Sequence, residues 1–485
     1  MKLHKILPVF AASLLIGAGL SSCGGGNDSK KLNIVCIDAG YGKTWINKLA
    51  EKFKTDHPDI TVNITALYES ESLIQQHLAS KSNNDDLYIS VGSTWKSYAA
   101  TGSFAELDDL LEDTVDGVKV KDKVADEFKN SIYFTKSNGT TKCYRLPFTS
   151  GIGGIFYNAK MFETNGWDTW LMSTYNNTTG VPETYDQLVA LCQKINADSI
   201  PVPNDPDHIK TVKPFTYGGT DTDYFDYTVF DWWGQIAGKD AITNFLKYES
   251  ADNFDASKNS TYAALKTATE RWFQLFGPSS NYYITGNNTT SAADAQKQFI
   301  NGEAAMMFNG DWLYNESLQF TKNGSYDATF KLALMKTPVL AEANPEYVNT
   351  SYIIGEDQYI AIPASSKHKD LAKDFIKLIV SNEGCETFTK EAHGFLAYNA
   401  NYDEMNINDS FLESVIDLRS QYTSKFTNFS SNRKYLTNLI DIWSTSANRP
   451  FLSLLNGSLS TVDRAFQIIA STASSQWTEW TNKSK

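Results

Sequence analysis

From Lys31 to Val91 the chain switches repeatedly between two hydrophobic periods, and that alternation limits it to one fold class. Lys31-Leu32-Asn33-Ile34-Val35-Cys36-Ile37 reads as a strand that runs into the turn Asp38-Ala39-Gly40-Tyr41-Gly42. Trp45, Ile46, Leu49 and Phe53 follow at helical spacing, and His57-Pro58-Asp59 stops that helix. Residues 60–65 alternate like a strand, residues 72–80 read as a second helix, and residues 86–91 as a third strand. Strand, helix and strand in this order predict an α/β lobe with a largely parallel sheet. Ligands of such sheets sit beyond the carboxyl ends of the strands. Tyr41 and the run Ser93-Thr94-Trp95 occupy those ends.

At 485 residues the chain is too long for one ordinary domain and fits two or three. Strand segments are expected at 143–148 and 155–158, on either side of Ser150-Gly151-Ile152-Gly153-Gly154. Beyond them, Asn-, Thr- and Tyr-rich loops alternate with helices over 185–195, 241–248 and 262–276. Residues 304–308 and 356–362 read as strands, and 371–380 as a helix that Asn382-Glu383-Gly384 brings to an end. From Phe411 onward the pattern is mainly helical, and no solenoid repeat is visible.

The first residues carry an address. Lys2 and Lys5 precede an apolar run from Val9 to Gly19, followed by Leu20-Ser21-Ser22-Cys23, the layout of a secretory signal. A cysteine just after the small residues resembles a bacterial lipobox, which implies a signal peptide over 1–22 and a diacylglyceryl group on Cys23. The other reading is an uncleaved transmembrane anchor, but residues 6–22 are at the short limit for a span. Residues 23–30, rich in glycine, read as a flexible tether.

A formal charge of −13 argues against nucleic-acid binding, which wants concentrated positive charge. Cys36, Cys143, Cys192 and Cys385 are far apart in sequence, too few for a disulfide scaffold and without zinc spacing. They either form one or two bridges or stay free and buried, and the latter is favoured. The six histidines show no metal-like spacing, and no cofactor motif is present. Gly151-Ile152-Gly153-Gly154 is not a dinucleotide fingerprint, because Phe156 stands where the third glycine belongs. Asp221–Asp226 hints at a calcium loop, but Asp226 replaces its turn glycine and Trp232 its terminal glutamate.

Four stretches, in order, resemble the bacterial extracellular solute-binding proteins of family 1, the carbohydrate receptors of ABC importers. They are Leu49–Val62, Ile155–Phe162, Phe299–Met307 with Gly310-Asp311-Trp312, and Ala361-Ile362-Pro363 with Lys369–Ile376. The resemblance implies an α/β, two-lobed periplasmic-binding-protein-like fold of type II whose lobes are joined by crossing hinge segments. It implies an N-terminal lobe from 31–149 plus 358–403 and a C-terminal lobe from 150–357 plus 404–485. Crossings are expected near 149–151, 355–358 and 401–404. It also implies a monomer outside the cytoplasm, held to the membrane through Cys23, that hands a carbohydrate to permease subunits without catalysis.

A sugar offers flat C–H faces and hydroxyls, so its site needs aromatic plates and polar acceptors. The aromatic content is 13%, with 25 Tyr and 11 Trp, enough for both a core and a site. Trp312 beside Asp311 is the first choice of plate. Trp232 and Trp233 follow Asp231, and at least one is expected in the core while the other lines the cleft. Ser93, Thr94 and Trp95 offer hydroxyls and a ring, and Tyr41 sits in the first strand–helix turn. Ser150 and Gly151 lie at a crossing where the family often has an acid that this chain lacks. Glu356 and Asp357 lie at another crossing, and Arg449 falls in the segment that completes the second lobe's wall in the family. Two other classes stay open: a secreted glycosidase built on a pair among Asp226, Asp231 and Asp311, and a structural adhesin. A polyamine-type receptor is the variant within the receptor class.

Overall fold

The computed structural model describes residues 31–92, 94–203, 205, 209–322, 329–428 and 451–483. The signal and tether with Cys23, as well as Ser93 and Arg449, lie outside the described residues. The chain begins β1 (Lys31–Ile37), α1 (Thr44–Asp56), β2 (Thr61–Leu67), α2 (Ser70–Ala79) and β3 (Leu87–Val91). After Ser150 it runs through β4 (Gly151–Asn158), β5 (Lys213–Thr216), α3 (Asp226–Ala237), α4 (Ala292–Ile300) and β6 (Ala304–Gly310). Next come α5 (Trp312–Lys322), β7 (Leu332–Met335) and β8 (Thr350–Ile354). It then returns to β9 (Gln358–Ala361), α6 (Lys369–Ile379) and α7 (Asn382–Ala392), followed by α8 (Ser410–Gln421), β10 (Ser424–Phe426) and, among the described residues, helices over Phe451–Leu455 and Val462–Lys483.

These strands form two main sheets, one per lobe. The first has the order β9-β3-β1-β2, with β1 parallel to both neighbours and β9 antiparallel to β3. The second has the order β10-β8-β4-β6-β5, with β7 also paired to β4. Each sheet is covered by its own apolar core. In the first lobe α1 buries Trp45, Ile46, Leu49, Ala50 and Phe53 along one stripe, and Phe53 meets Phe375 of α6 at 5.2 Å. Full burial of each large apolar side chain stabilises by about 1.5–3 kcal/mol. The four cysteines are free and buried, and burial pushes their thiols up.

Three local readings change. The glycine run 151–154 does not separate two strands but starts β4, which continues unbroken to Asn158. Gly153 is there because a Cβ would stand 2.6 Å from the Tyr227 ring. Asn382-Glu383-Gly384 does not stop the chain's helical run. It is the first turn of α7, which starts because Ser381 accepts from the Gly384 N–H at 3.0 Å. Among the described residues after Phe411, the helices are interrupted by the short strand β10, which pairs with β8.

The backbone passes between the sheets at Thr149–Ser150, between β4 and the first lobe, and again at Gly355–Asp357, between β8 and β9. The two passages touch. Gly355 has φ +136°, and a Cβ on it would collide with the Thr149 carbonyl, so only glycine permits this crossing. Arg145 clamps the second passage by donating to the carbonyls of Gln358 at 2.8 Å and Glu356 at 3.2 Å.

Asp231 of α3 lies at the centre of the second lobe's core. It accepts from Thr337 Oγ1, from the Tyr352 N–H at 2.7 Å and from Ser351 Oγ at 3.2 Å. Burial pushes its carboxyl from 3.8 up to about 7, against the pull of those donors. The native state therefore keeps a proton that the unfolded chain releases near pH 4, and stability falls as pH rises from 4 to 7. Asp231→Asn removes this titration. Its stability relative to wild type should improve by up to about 1.4 kcal/mol per pH unit across that window in urea unfolding. A difference that does not change with pH would contradict this.

Candidate ligand cleft

The order β2-β1-β3 places a topological switch point between β1 and β3, because the chain leaves these adjacent strands in opposite directions. The loops beyond them carry Gly40-Tyr41 and Gly92 with Thr94. The second lobe presents the carboxyl end of β6, which becomes Asp311-Trp312, beside the amino end of α3. These two edges meet. Tyr41 Oη donates to Asp311 Oδ1 at 2.6 Å, and Asn315 Nδ2 donates to the Gly40 carbonyl at 2.7 Å. A Cβ on Gly40 would lie 2.8 Å from Trp312 Cβ, so a side chain there would force the lobes apart.

Trp312 lies in the middle of this contact and is partly exposed. Its six-membered ring packs on Gly310, where any Cβ would collide with it. Three tyrosines stand edge-on around it: Tyr41 at 6.2 Å and 83°, Tyr224 at 6.2 Å and 79°, and Tyr227 at 5.7 Å and 86°. Edge-to-face pairs contribute about 0.5–1.5 kcal/mol each beyond their area. The indole is therefore a plate held in one orientation by residues of both lobes.

Asp311 is fully buried below that plate. Burial pushes its carboxyl up to about 6, and the Tyr41 hydroxyl and the positive charge of Arg419 oppose the rise. Burial first and then the Asp311 charge hold the Tyr41 phenol well above its usual range, so at neutral pH it is a neutral donor. Arg419 of α8 donates to the Ser150 carbonyl at 2.7 Å and to Ser150 Oγ at 2.9 Å, with its guanidinium over Phe395 at 4.5 Å. Ser150 is thus a hinge residue bound from the second lobe, with its own N–H on the Phe395 carbonyl. Gly151 stands beside it, and a Cβ there would be 3.3 Å from Tyr41 Oη and 3.6 Å from Asp311 Oδ1.

Tyr41, Ser150, Gly151, Asp311 and Trp312 thus converge, while other candidates do not join them. Trp95 is fully buried in the first lobe's core, under the Arg145 guanidinium at 4.6 Å. Trp232 and Trp233 are both core, contrary to the expectation that one lines the cleft. Their indole N–H groups donate inward, to the Pro338 carbonyl at 2.9 Å and the Thr261 carbonyl at 2.7 Å. α3 is buried on nearly all sides, so its paired tryptophans both point into protein. Glu356 pairs with Lys96 at 3.0 Å where both are largely buried, and the Asp357 carbonyl accepts from the Gly92 N–H at 2.8 Å. Thr94 stands at the start of the short helix Trp95–Thr101, and its side chain makes no capping bond there.

Two residues beside the cleft escaped the sequence reading. Arg419 reads as an ordinary surface cation of a helix. Glu316 lies one turn after Trp312 on α5. Glu316 was legible from the i, i+4 spacing to Trp312. A second concavity of about 420 Å³ lies at the opposite end of the first sheet, near Lys31, Asp86 and His368. No Tyr, Trp or Phe lines it, and it sits at the amino ends of the strands, so the inter-lobe cleft is the better candidate.

Tyr41→Phe and Asn315→Ala each remove one hydrogen bond between the lobes. A bond to a charged acceptor contributes about 1.5–3 kcal/mol, so Tyr41→Phe should move an open–closed equilibrium by roughly tenfold or more. Small-angle scattering should report a larger radius of gyration for the double variant while unfolding stays cooperative. An unchanged radius would show that these bonds do not hold the lobes together.

The comparisons agree with this architecture. A family model described as bacterial extracellular solute-binding protein matches residues 39–384. The chain is 21% identical over 348 residues to the multiple sugar-binding protein of Streptococcus mutans serotype c, covering 71% of this chain and 69% of that protein. It is 19% identical over 357 residues to the diacetylchitobiose binding protein NgcE of Streptomyces coelicolor, covering 73% and 66%. A solved chitin oligosaccharide binding protein superposes with a TM-score of 0.65 at 17% identity, over 93% of this chain and 99% of that one. That last likeness is one of fold. With two lobes, crossing segments and a family match over most of its length, the chain belongs to the bacterial extracellular solute-binding proteins.

Proposed function

We propose that this protein is a receptor that binds a carbohydrate between its lobes and delivers it to the permease of an ABC importer. The observation that carries the reading is the Trp312 plate, framed by Tyr41, Tyr224 and Tyr227 at a joint between two hinged lobes. A pyranose ring lays its C–H face on such a plate and directs its hydroxyls to polar atoms around it. Asp311, Tyr41 and Asn315 stand at that rim and now bond to the opposite lobe. A sugar entering the cleft exchanges those bonds for its own and stays enclosed by both walls. The related proteins that are named for what they bind are named for sugars.

Neither delivery nor binding requires a covalent step. A glycosidase needs two carboxylates flanking one bond. Of the three acids considered, Asp231 is committed to Thr337, Tyr352 and Ser351 inside the core. The protein acts as a monomer outside the cytoplasm, held at the membrane by a lipid on Cys23. A tether over 23–30 lets the lobes reach a permease.

A thermal-shift screen with mono- and oligosaccharides and spermidine tests the reading. Ligand at 100 times its dissociation constant adds about 2.7 kcal/mol to stability, and Trp312→Ala should abolish the shift. A shift with spermidine alone would replace the sugar by a polyamine, and new reducing ends on incubation would make the protein an enzyme. For the anchor, Cys23→Ser should move the protein from the membrane fraction to the soluble one. An unchanged partition would contradict lipidation.

A further inference from the structure

A concavity of about 320 Å³ lies behind the hinge, and Tyr41, Asp311 and Trp312 do not line it. Thr149 is bridged to Leu396 and Gly151 starts β4, so this passage is extended and successive side chains point to opposite sides. Gly151 faces Tyr41 and Asp311, while Ser150 Oγ points backward and donates to Glu127 Oε1 at 3.3 Å. The walls of the concavity come from both lobes. Glu127, Asn399 and Asn401 line it from the first lobe, and Arg419 of α8 and Lys425 of β10 line it from the second. The whole chain carries a charge of −13, yet here two cations face a single acid. Lys425 is fixed in place. Its neighbour Phe426 is locked in the core against Trp233 and Tyr352, and β10 holds Lys425 in register with Ser351. Burial first and then the Arg419 charge pull the Lys425 amine below its usual range, and among the described residues it makes no ion pair. Arg419 is held over Phe395 by its two bonds to Ser150, and a guanidinium has further N–H donors to offer.

We propose that this concavity binds a small oxyanion, a molecule with a phosphate or carboxylate group, that joins the two lobes behind the hinge. Arg419 and Lys425 hold its oxygens from the second lobe, the guanidinium as a planar fork and the ammonium as a point charge. The amides of Asn399 and Asn401 form the facing wall in the first lobe. The anion supplies the negative charge that Glu127 alone does not. The ligand cleft and this pocket lie on opposite sides of the crossing segments, so a bend that opens the one narrows the other. The pocket has its present size while Tyr41 and Asp311 are bonded across the cleft, so an anion that fills it favours that closed arrangement. The site lies outside the cleft, and its chemistry is independent of the solute the cleft takes.

Calorimetry without any sugar tests it, with inorganic phosphate and citrate as probes and sodium chloride at matched ionic strength as the control. At least one probe should bind at one site per chain, and which of them binds tells phosphate from carboxylate. Lys425→Gln should weaken that binding about tenfold, the scale of one charged hydrogen bond. Glu127→Gln removes the acid of the lining and should tighten it severalfold. Opposite effects of two neutral substitutions are not what a general loss of structure produces. The Tyr41→Phe, Asn315→Ala double variant, whose lobes part more easily, should bind the probe more weakly than wild type. Binding of neither probe beyond the chloride control, or wild-type affinity in both Lys425→Gln and Glu127→Gln, would overturn the site. Wild-type affinity in the double variant would overturn its link to closure. None of these outcomes bears on whether a carbohydrate binds in the cleft.

Discussion

One indole ring touches both halves of this molecule, and most of the cleft is arranged around it. Trp312 rests on Gly310 behind it and faces Gly40 across the joint, and neither position tolerates a side chain. Below it Asp311 is buried and bonded to Tyr41 of the other lobe. Burial of an ionisable group without partners is costly, so the closed arrangement is stable only while Tyr41, the Ile152 N–H and the nearby Arg419 compensate Asp311. Closure, the orientation of the plate and the charge state of the joint are therefore coupled through two consecutive residues.

The hinge has the same economy. Thr149–Ser150 and Gly355–Asp357 pass between the sheets side by side, close enough that a glycine is required at 355. Arg145 holds one passage and Arg419 the other, each through backbone carbonyls. Both clamps grip backbone carbonyls, and Arg419 adds the Ser150 hydroxyl, so the crossing segments are held mainly through main-chain atoms.

Much of this was legible in the sequence. The alternation over 31–91 gives the first sheet, and Gly310-Asp311-Trp312 marks the plate. The remainder was hidden for identifiable reasons. Trp95, Trp232 and Trp233 look like sugar plates because aromatic residues fill cores and clefts alike, and only their complete burial in the fold separates the two. The glycines of 151–154 look like a break between two strands because what requires Gly153, the Tyr227 side chain, lies more than seventy residues away in sequence. Arg419 acts through Ser150 on another element, and helical periodicity carries no trace of that partner.

The most direct test of a cleft built around Trp312 is a crystal structure with an oligosaccharide bound. The expected result is a pyranose ring with its C–H face on the Trp312 indole, between the Tyr41 turn and α5. A sugar seated instead in the polar groove near Asp86 and His368, with Trp312 still covered by the opposite lobe, would contradict it.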